Sequence, residues 1–125
     1  MATTVLIVDD SKLARMSVAK ALAAVRSDWK RLEAASADEA LALVKSEGVD
    51  IALVDFNMPG RDGLALAAEL RQIEPEMPVA LVSANYQHEI VGRAKELGAT
   101  FLPKPLTEQH LKEFLDSVAA RLPAK

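Results

Sequence analysis

The 125-residue chain contains no cysteine, which excludes disulfides and thiolate metal sites. It has no basic excess either. Fifteen Lys and Arg stand against 18 Asp and Glu, a formal net charge of -3, so charge alone gives a nucleic-acid backbone nothing to bind. No apolar run approaches the roughly 20 residues that span a bilayer. Met1-Ala2-Thr3-Thr4-Val5 shows no basic segment leading into a long apolar one, so no signal peptide is expected. Linkers, repeats and low-complexity tracts are missing too. These absences lead to the expectation of a cytoplasmic protein with no direct contact to nucleic acid or membrane. The length suits one domain over residues 1–125 with a proper core. Pro123-Ala124-Lys125 alone is too little for an output domain.

What is present alternates between strand and helix patterns. Val5-Leu6-Ile7-Val8, Ile51-Ala52-Leu53-Val54 and Val79-Ala80-Leu81-Val82 are continuous aliphatic runs of the kind buried on both faces of a parallel sheet. Thr100-Phe101-Leu102 is a shorter run, and Arg31 to Ala35 a weak one that Glu33 interrupts. Ser11 to Arg26 reads as a helix with Met16, Ala19 and Ala23 on its apolar face beside Val18, Leu22 and Val25. Ser36-Ala37-Asp38-Glu39 is a capping box opening a helix that stops at Gly48. Asn57 to Gly63 is dense in turn formers. Leu66, Leu70 and Ile73 mark a third helix, and Ile90, Val91, Ala94 and Leu97 a fourth that ends at Gly98. Leu111, Phe114, Leu115, Val118 and Leu122 mark the last, with Thr107 as its N-cap. Gly92, inside the fourth helix, is either a close packing contact or a softening of an element that moves. The order is βα repeated five times, with crossovers that require a parallel sheet.

The chemistry-bearing residues stand where the strand patterns stop. Asp9-Asp10 follow the first run, Asp55 the third, Ser83 the fourth and Lys104-Pro105 the fifth. In an open α/β sheet these ends share one crevice, where ligands bind. Three carboxylates brought together repel one another unless a cation intervenes. Mg²⁺ (or Mn²⁺) suits an all-oxygen set, with Asp10 and Asp55 as direct ligands and Asp9 acting through water. Asp55 can attack a phosphoryl donor and hold the group as an acyl phosphate. Lys104 can pair with Asp55 and then with the phosphate, Ser83 can donate to a phosphate oxygen, and the Lys104-Pro105 bond is one that can be cis. His88 and His110 are expected on solvent faces, and Trp29 far from the crevice.

Asp9-Asp10, Asp55 with Met58-Pro59 and Asp62-Gly63, Ser83-Ala84 and Lys104-Pro105 together resemble the receiver domain of two-component response regulators, of the chemotaxis-regulator type. The resemblance runs from about Thr4 to Leu122. It implies a flavodoxin-like doubly wound (βα)5 fold, the five-stranded parallel sheet running in the order 2-1-3-4-5. It also implies phosphorylation of Asp55 by a histidine kinase or histidine phosphotransfer protein, and Mg²⁺ held by Asp10, Asp55 and the Asn57 backbone carbonyl. A cis Lys104-Pro105 peptide, a switch through Ser83 and Phe101, and tuning of phosphate lifetime by Asn57 and Asn85 follow from it too. The phosphorylated form would bind a protein target not identified by the sequence, as a monomer or a weak phosphorylation-dependent dimer.

Two alternatives accompany that reading. The chain is also what a receiver excised from a larger regulator or hybrid histidine kinase would look like. A phosphatase of the haloacid dehalogenase type also uses aspartyl phosphate on a parallel sheet, but it carries an Asp-x-Asp nucleophile after the first strand and usually a cap. Here the first two aspartates are adjacent, and no insertion is long enough for a cap. A flavin module fails because the carboxylates would repel the cofactor phosphate.

Overall fold

A computed structural model describes residues 3–56, 63–83, 88–104 and 106–119. Strands β1 (Thr4–Val8), β2 (Lys30–Ala34), β3 (Ile51–Asp55), β4 (Val79–Ser83) and β5 (Thr100–Pro103) alternate with five helices. These are α1 (Lys12–Val25), α2 (Ala37–Glu47), α3 (Gly63–Ile73), α4 (His88–Glu96) and α5 (Glu108–Ala119). All strand pairings are parallel, and the order is β2-β1-β3-β4-β5, as the resemblance implies.

Period-two alternation sends successive side chains of each strand to opposite faces. Leu6, Val8, Ala52, Val54 and Leu81 pack against α2, α3 and Ala94 of α4. Val5, Ile7, Leu53, Ala80 and Val82 pack against Leu22 of α1 and Leu111, Phe114 and Leu115 of α5. Every residue of β3 and β4 is buried, which accounts for their unbroken aliphatic sequences.

The caps form as their sequences imply. Ser11 accepts from the Ala14 N–H, Ser36 from the Glu39 N–H, and Thr107 from the His110 N–H. Gly48 and Gly98 follow α2 and α4 with φ of 70° and 77°, the left-handed conformation that glycine adopts without strain.

Several expectations shift. The inward face of α1 runs through Val18, Ala21, Leu22 and Val25, while Met16 is 53% exposed. Met16 precedes Val18 by two residues, about 200° round the helix. Strand β2 starts one residue early at Lys30, because its backbone pairs with β1 at Thr4 although the side chain is exposed. Gly63 opens α3 instead of closing a loop. His110 is half-buried, and its enclosed Nδ1 has no hydrogen-bond partner among the described residues. Among the described residues a Cβ at Gly92 would meet nothing within 4 Å, so no close packing there accounts for that glycine.

Candidate functional site

The parallel register brings the strand ends level. Val8 pairs with Val54, Asp55 with Val82, and Ser83 with Pro103, so Asp9-Asp10, Asp55, Ser83 and Lys104 end up at one edge of the sheet. One carboxylate oxygen each from Asp9, Asp10 and Asp55 lies within 4.8 Å of the others. Asp9 and Asp55 are buried and Asp10 is exposed, so the cluster opens to solvent on the Asp10 side.

Lys104 Nζ lies 2.7 Å from Asp55 Oδ1 and 3.6 Å from Asp9 Oδ2. Among the described residues that enclosed Asp55 oxygen has no hydrogen-bond partner beyond this ion pair. One ammonium therefore pairs with two of the three carboxylates. Burial, reinforced by the charge of Asp55, raises the proton affinity of Asp9 above the ordinary carboxylate range, although the Ser11 N–H opposes this at 2.9 Å from its Oδ1. Burial alone would push the Lys104 ammonium down. The hydrogen bond and charge of Asp55, with help from Asp9, outweigh it and hold Lys104 above its ordinary value. An acidic cluster with a buried, under-compensated carboxylate and an open side fits a hard divalent cation taking oxygen ligands.

The backbone around the acceptor candidate is tightly set. A Cβ at Gly63 would stand 2.6 Å from the Asp55 carbonyl oxygen and 2.8 Å from the Phe56 Cα. The Gly63 N–H donates to the Phe56 carbonyl at 2.9 Å. Only glycine lets α3 begin this close to the strand end. On the other side, a cavity of about 390 Å³ opens next to Asp55 and Lys104. Ala14, Ser17 and Val18 of α1 wall it, together with Leu53, Val82 and Leu106.

Ser83 is fully buried at the end of β4, and its carbonyl accepts from the Lys104 N–H at 3.1 Å. Phe101 lies apart from the crevice, half-buried on β5 in a groove shared with His110 and Phe114. Asn57, Asn85 and Pro105 lie outside the described residues, and with them the carbonyl ligand, the rate-tuning amides and the Lys104-Pro105 peptide geometry. Trp29 precedes β2 at the opposite end of the sheet, stacked under Arg26 at 5.4 Å. Sequence reasoning missed Arg15, whose guanidinium reaches the Asp9 carbonyl at 2.7 Å. The available signal was a cation in the first turn of a helix, where the macrodipole disfavours it.

Among the described residues, no helix is long and apolar enough to cross a membrane. A model of the response regulator receiver domain matches residues 5–116. The positive alginate biosynthesis regulatory protein of Pseudomonas aeruginosa is 40% identical over 114 residues, covering 89% of this chain and 45% of that protein. Sporulation initiation phosphotransferase F of Bacillus subtilis is 30% identical over 122 residues, covering 97% of this chain and 94% of that one. Among solved structures, the CheX-CheY-BeF3-Mg2+ complex from Borrelia burgdorferi superposes with a TM-score of 0.85 at 26% identity, covering 94% of this chain and 89% of that one. The chain thus spans about half the length of the alginate regulator and nearly all of the sporulation phosphotransferase.

Proposed function

The chain belongs to the response regulator receiver domain family, and from that premise we propose that Asp55 is its phosphoacceptor in two-component signalling. The observation that carries the assignment is the Lys104 ammonium, 2.7 Å from an Asp55 carboxylate that shares its crevice with Asp9 and Asp10. The donor is a histidine kinase or histidine phosphotransfer protein, and the reaction is in-line transfer. An Asp55 carboxylate oxygen attacks phosphorus, an O–P bond forms, the donor N–P bond breaks, and the imidazole nitrogen leaves with the electron pair and takes up a proton.

Lys104 holds Asp55 in place before transfer and provides a fixed positive charge for the phosphoryl oxygens as they arrive. Asp10 and Asp55 would hold a divalent cation directly, Asp9 through water, and the Asn57 carbonyl would complete the protein ligands. When bound, Mg²⁺ or Mn²⁺ supplies neutralisation of charge on the transferring group. Ser83, buried at the neighbouring strand end, moves toward the phosphoryl group and donates its hydroxyl to a phosphoryl oxygen. That motion alters the surface offered to a protein target, with Phe101 on β5 following it. Self-catalysed transfer from small donors and self-catalysed dephosphorylation belong to the same chemistry, the latter tuned by Asn57 and Asn85. The protein acts as a monomer or a weak phosphorylation-dependent dimer. On α5, Asp116 is already engaged by Arg26 and Lys112 within the chain.

The relatives include both long regulators and a protein of about this length. The acceptor chemistry proposed for Asp55 is the same in either setting. It is tested by the intact mass of the protein after brief incubation with acetyl phosphate. The expected result is gain of one phosphoryl group in Mg²⁺, and none in chelator or in Asp55→Asn. Gain that persists in Asp55→Asn would overturn the assignment.

A further inference from the structure

Besides its ion pair with Lys104, Asp9 is held by three hydrogen bonds. Its N–H donates to the Ala34 carbonyl at 3.1 Å, its Oδ1 accepts from the Ser11 N–H at 2.9 Å, and its carbonyl accepts from Arg15 Nη1 at 2.7 Å. The last of these is anchored elsewhere, because Arg15 Nε donates to Glu33 Oε1 at 3.1 Å. Glu33 sits on β2 opposite Ile7, two residues before Asp9. The Arg15 side chain is only 14% exposed, while Glu33 is 44% exposed. One guanidinium therefore ties the end of β1, the edge strand β2 and the first helical turns of α1 together.

This placement works against the helix. Lys12 and Arg15 lie at the N-terminus of α1, whose first turn holds no acidic residue, and a cation there opposes the macrodipole. The unfavourable location is offset by what the guanidinium reaches. Its planar fork serves two acceptors at fixed angles, which a lysine ammonium cannot reproduce. Moreover, the bonds it makes restrain the turn that carries Asp9 and Asp10, where three carboxylates repel one another in the absence of a cation.

We propose that Arg15, anchored by Glu33, is a positioning residue that presets the Asp9-Asp10 turn for the divalent cation. This rests on the receiver reading of the crevice. The tether orders the ligands before binding, so its loss lowers cation affinity without removing a ligand. Loss of a group that orients metal ligands costs roughly 10–100-fold in affinity.

The test is calorimetric Mg²⁺ titration of the full chain and of Arg15→Ala, Arg15→Lys, Glu33→Ala and Glu33→Gln, with Asp10→Asn as the ligand-loss control. Acetyl-phosphate phosphorylation is followed in parallel as a function of Mg²⁺. Arg15→Ala and Arg15→Lys should both weaken Mg²⁺ about tenfold, and the Mg²⁺ giving half-maximal rate should rise by the same factor. The rate at saturating Mg²⁺ should stay within about twofold of wild type, a split that a merely structural role would not produce. Glu33→Gln keeps an acceptor for Nε and should recover most of the affinity that Glu33→Ala loses. If Arg15→Ala fails to fold, Arg15→Lys and the Glu33 pair carry the test. Affinity within about twofold of wild type in the folded Arg15 variants would overturn the positioning role. Absence of Mg²⁺ binding in the wild-type chain would instead overturn the receiver reading itself.

Discussion

Leu6 and Val8 of β1 face α2 and α3, whereas Val5 and Ile7 face α1 and α5, so one strand supplies both layers of the domain. Among the described residues the α2/α3 layer is densely buried. Leu64, Leu66, Ala67 and Leu70 of α3 are all buried against Val54 and Leu81. The α1/α5 layer is closed where Leu22, Leu111, Phe114, Leu115 and Val118 are buried together, and towards the carboxylates it opens into the cavity walled by Ala14, Ser17 and Leu106. On the same helix Leu13 is 78% exposed and Met16 53%. The same hydrophobic pattern therefore builds one face for stability and leaves the other incomplete beside Asp55, on the side from which the proposed donor would approach.

The comparison breaks most severely under truncation on the densely buried face. Leu70→Ala should cost about 2–5 kcal/mol in urea unfolding, from lost burial plus a cavity, while the folded fraction still accepts phosphate. Equal losses of stability and of acceptor rate per folded molecule would mean that the two faces are not separable. On the open side, Lys104→Met should lower the acetyl-phosphate rate at saturating Mg²⁺ by about a hundredfold, with a much smaller change in unfolding free energy.

Charge sharpens the contrast further. Asp9 binds its proton more tightly in the fold than in the unfolded chain, so its contribution falls as pH rises above 3.8 through the raised folded value. In chelator, Asp9→Asn should remove that loss and raise the neutral-pH melting temperature by a few degrees. The same variant should shrink the further rise that Mg²⁺ produces. Lys104 shows the matching linkage at the other end. Its raised pKa means that the ion-pair contribution is present below 10.5 and lost as pH rises above it. A smaller effect is expected at Gly92, where an added Cβ meets nothing within 4 Å among the described residues: Gly92→Ala should stabilise by about 0.5–1 kcal/mol. Smallest of all, Trp29 fluorescence should barely change on phosphorylation, because the ring lies at the far end of the sheet.

Much of this was legible in the chain. The continuous runs of β3 and β4 could be buried only on both sides, and the polar residues that end them had to share an edge once the strands were parallel. The pairing of Lys104 with Asp55 followed from those positions. What escaped has physical reasons. The stripe of α1 departs from the expected face at Met16 because apolar residues, half of them alanines, surround much of that helix, so periodicity alone does not select a face. Strand β2 was displaced because an edge strand with exposed Lys30, Arg31 and Glu33 carries little hydrophobic signal. The cavity arises from the smallness of Ala14 and Ser17 opposite Leu106, and the Arg15 tether from contacts across three elements. The cavity has no local pattern, and the tether left only the cations at the start of α1 as a sign.

The bond between the Asp55 carboxylate and phosphorus can be located chemically. Borohydride reduces an aspartyl phosphate to homoserine. Protein phosphorylated in Mg²⁺, reduced at once and mapped by peptide mass spectrometry should carry homoserine at position 55 alone, and none when Mg²⁺ is chelated. Homoserine at position 9 or 10, or at 55 without a divalent cation, would contradict the account.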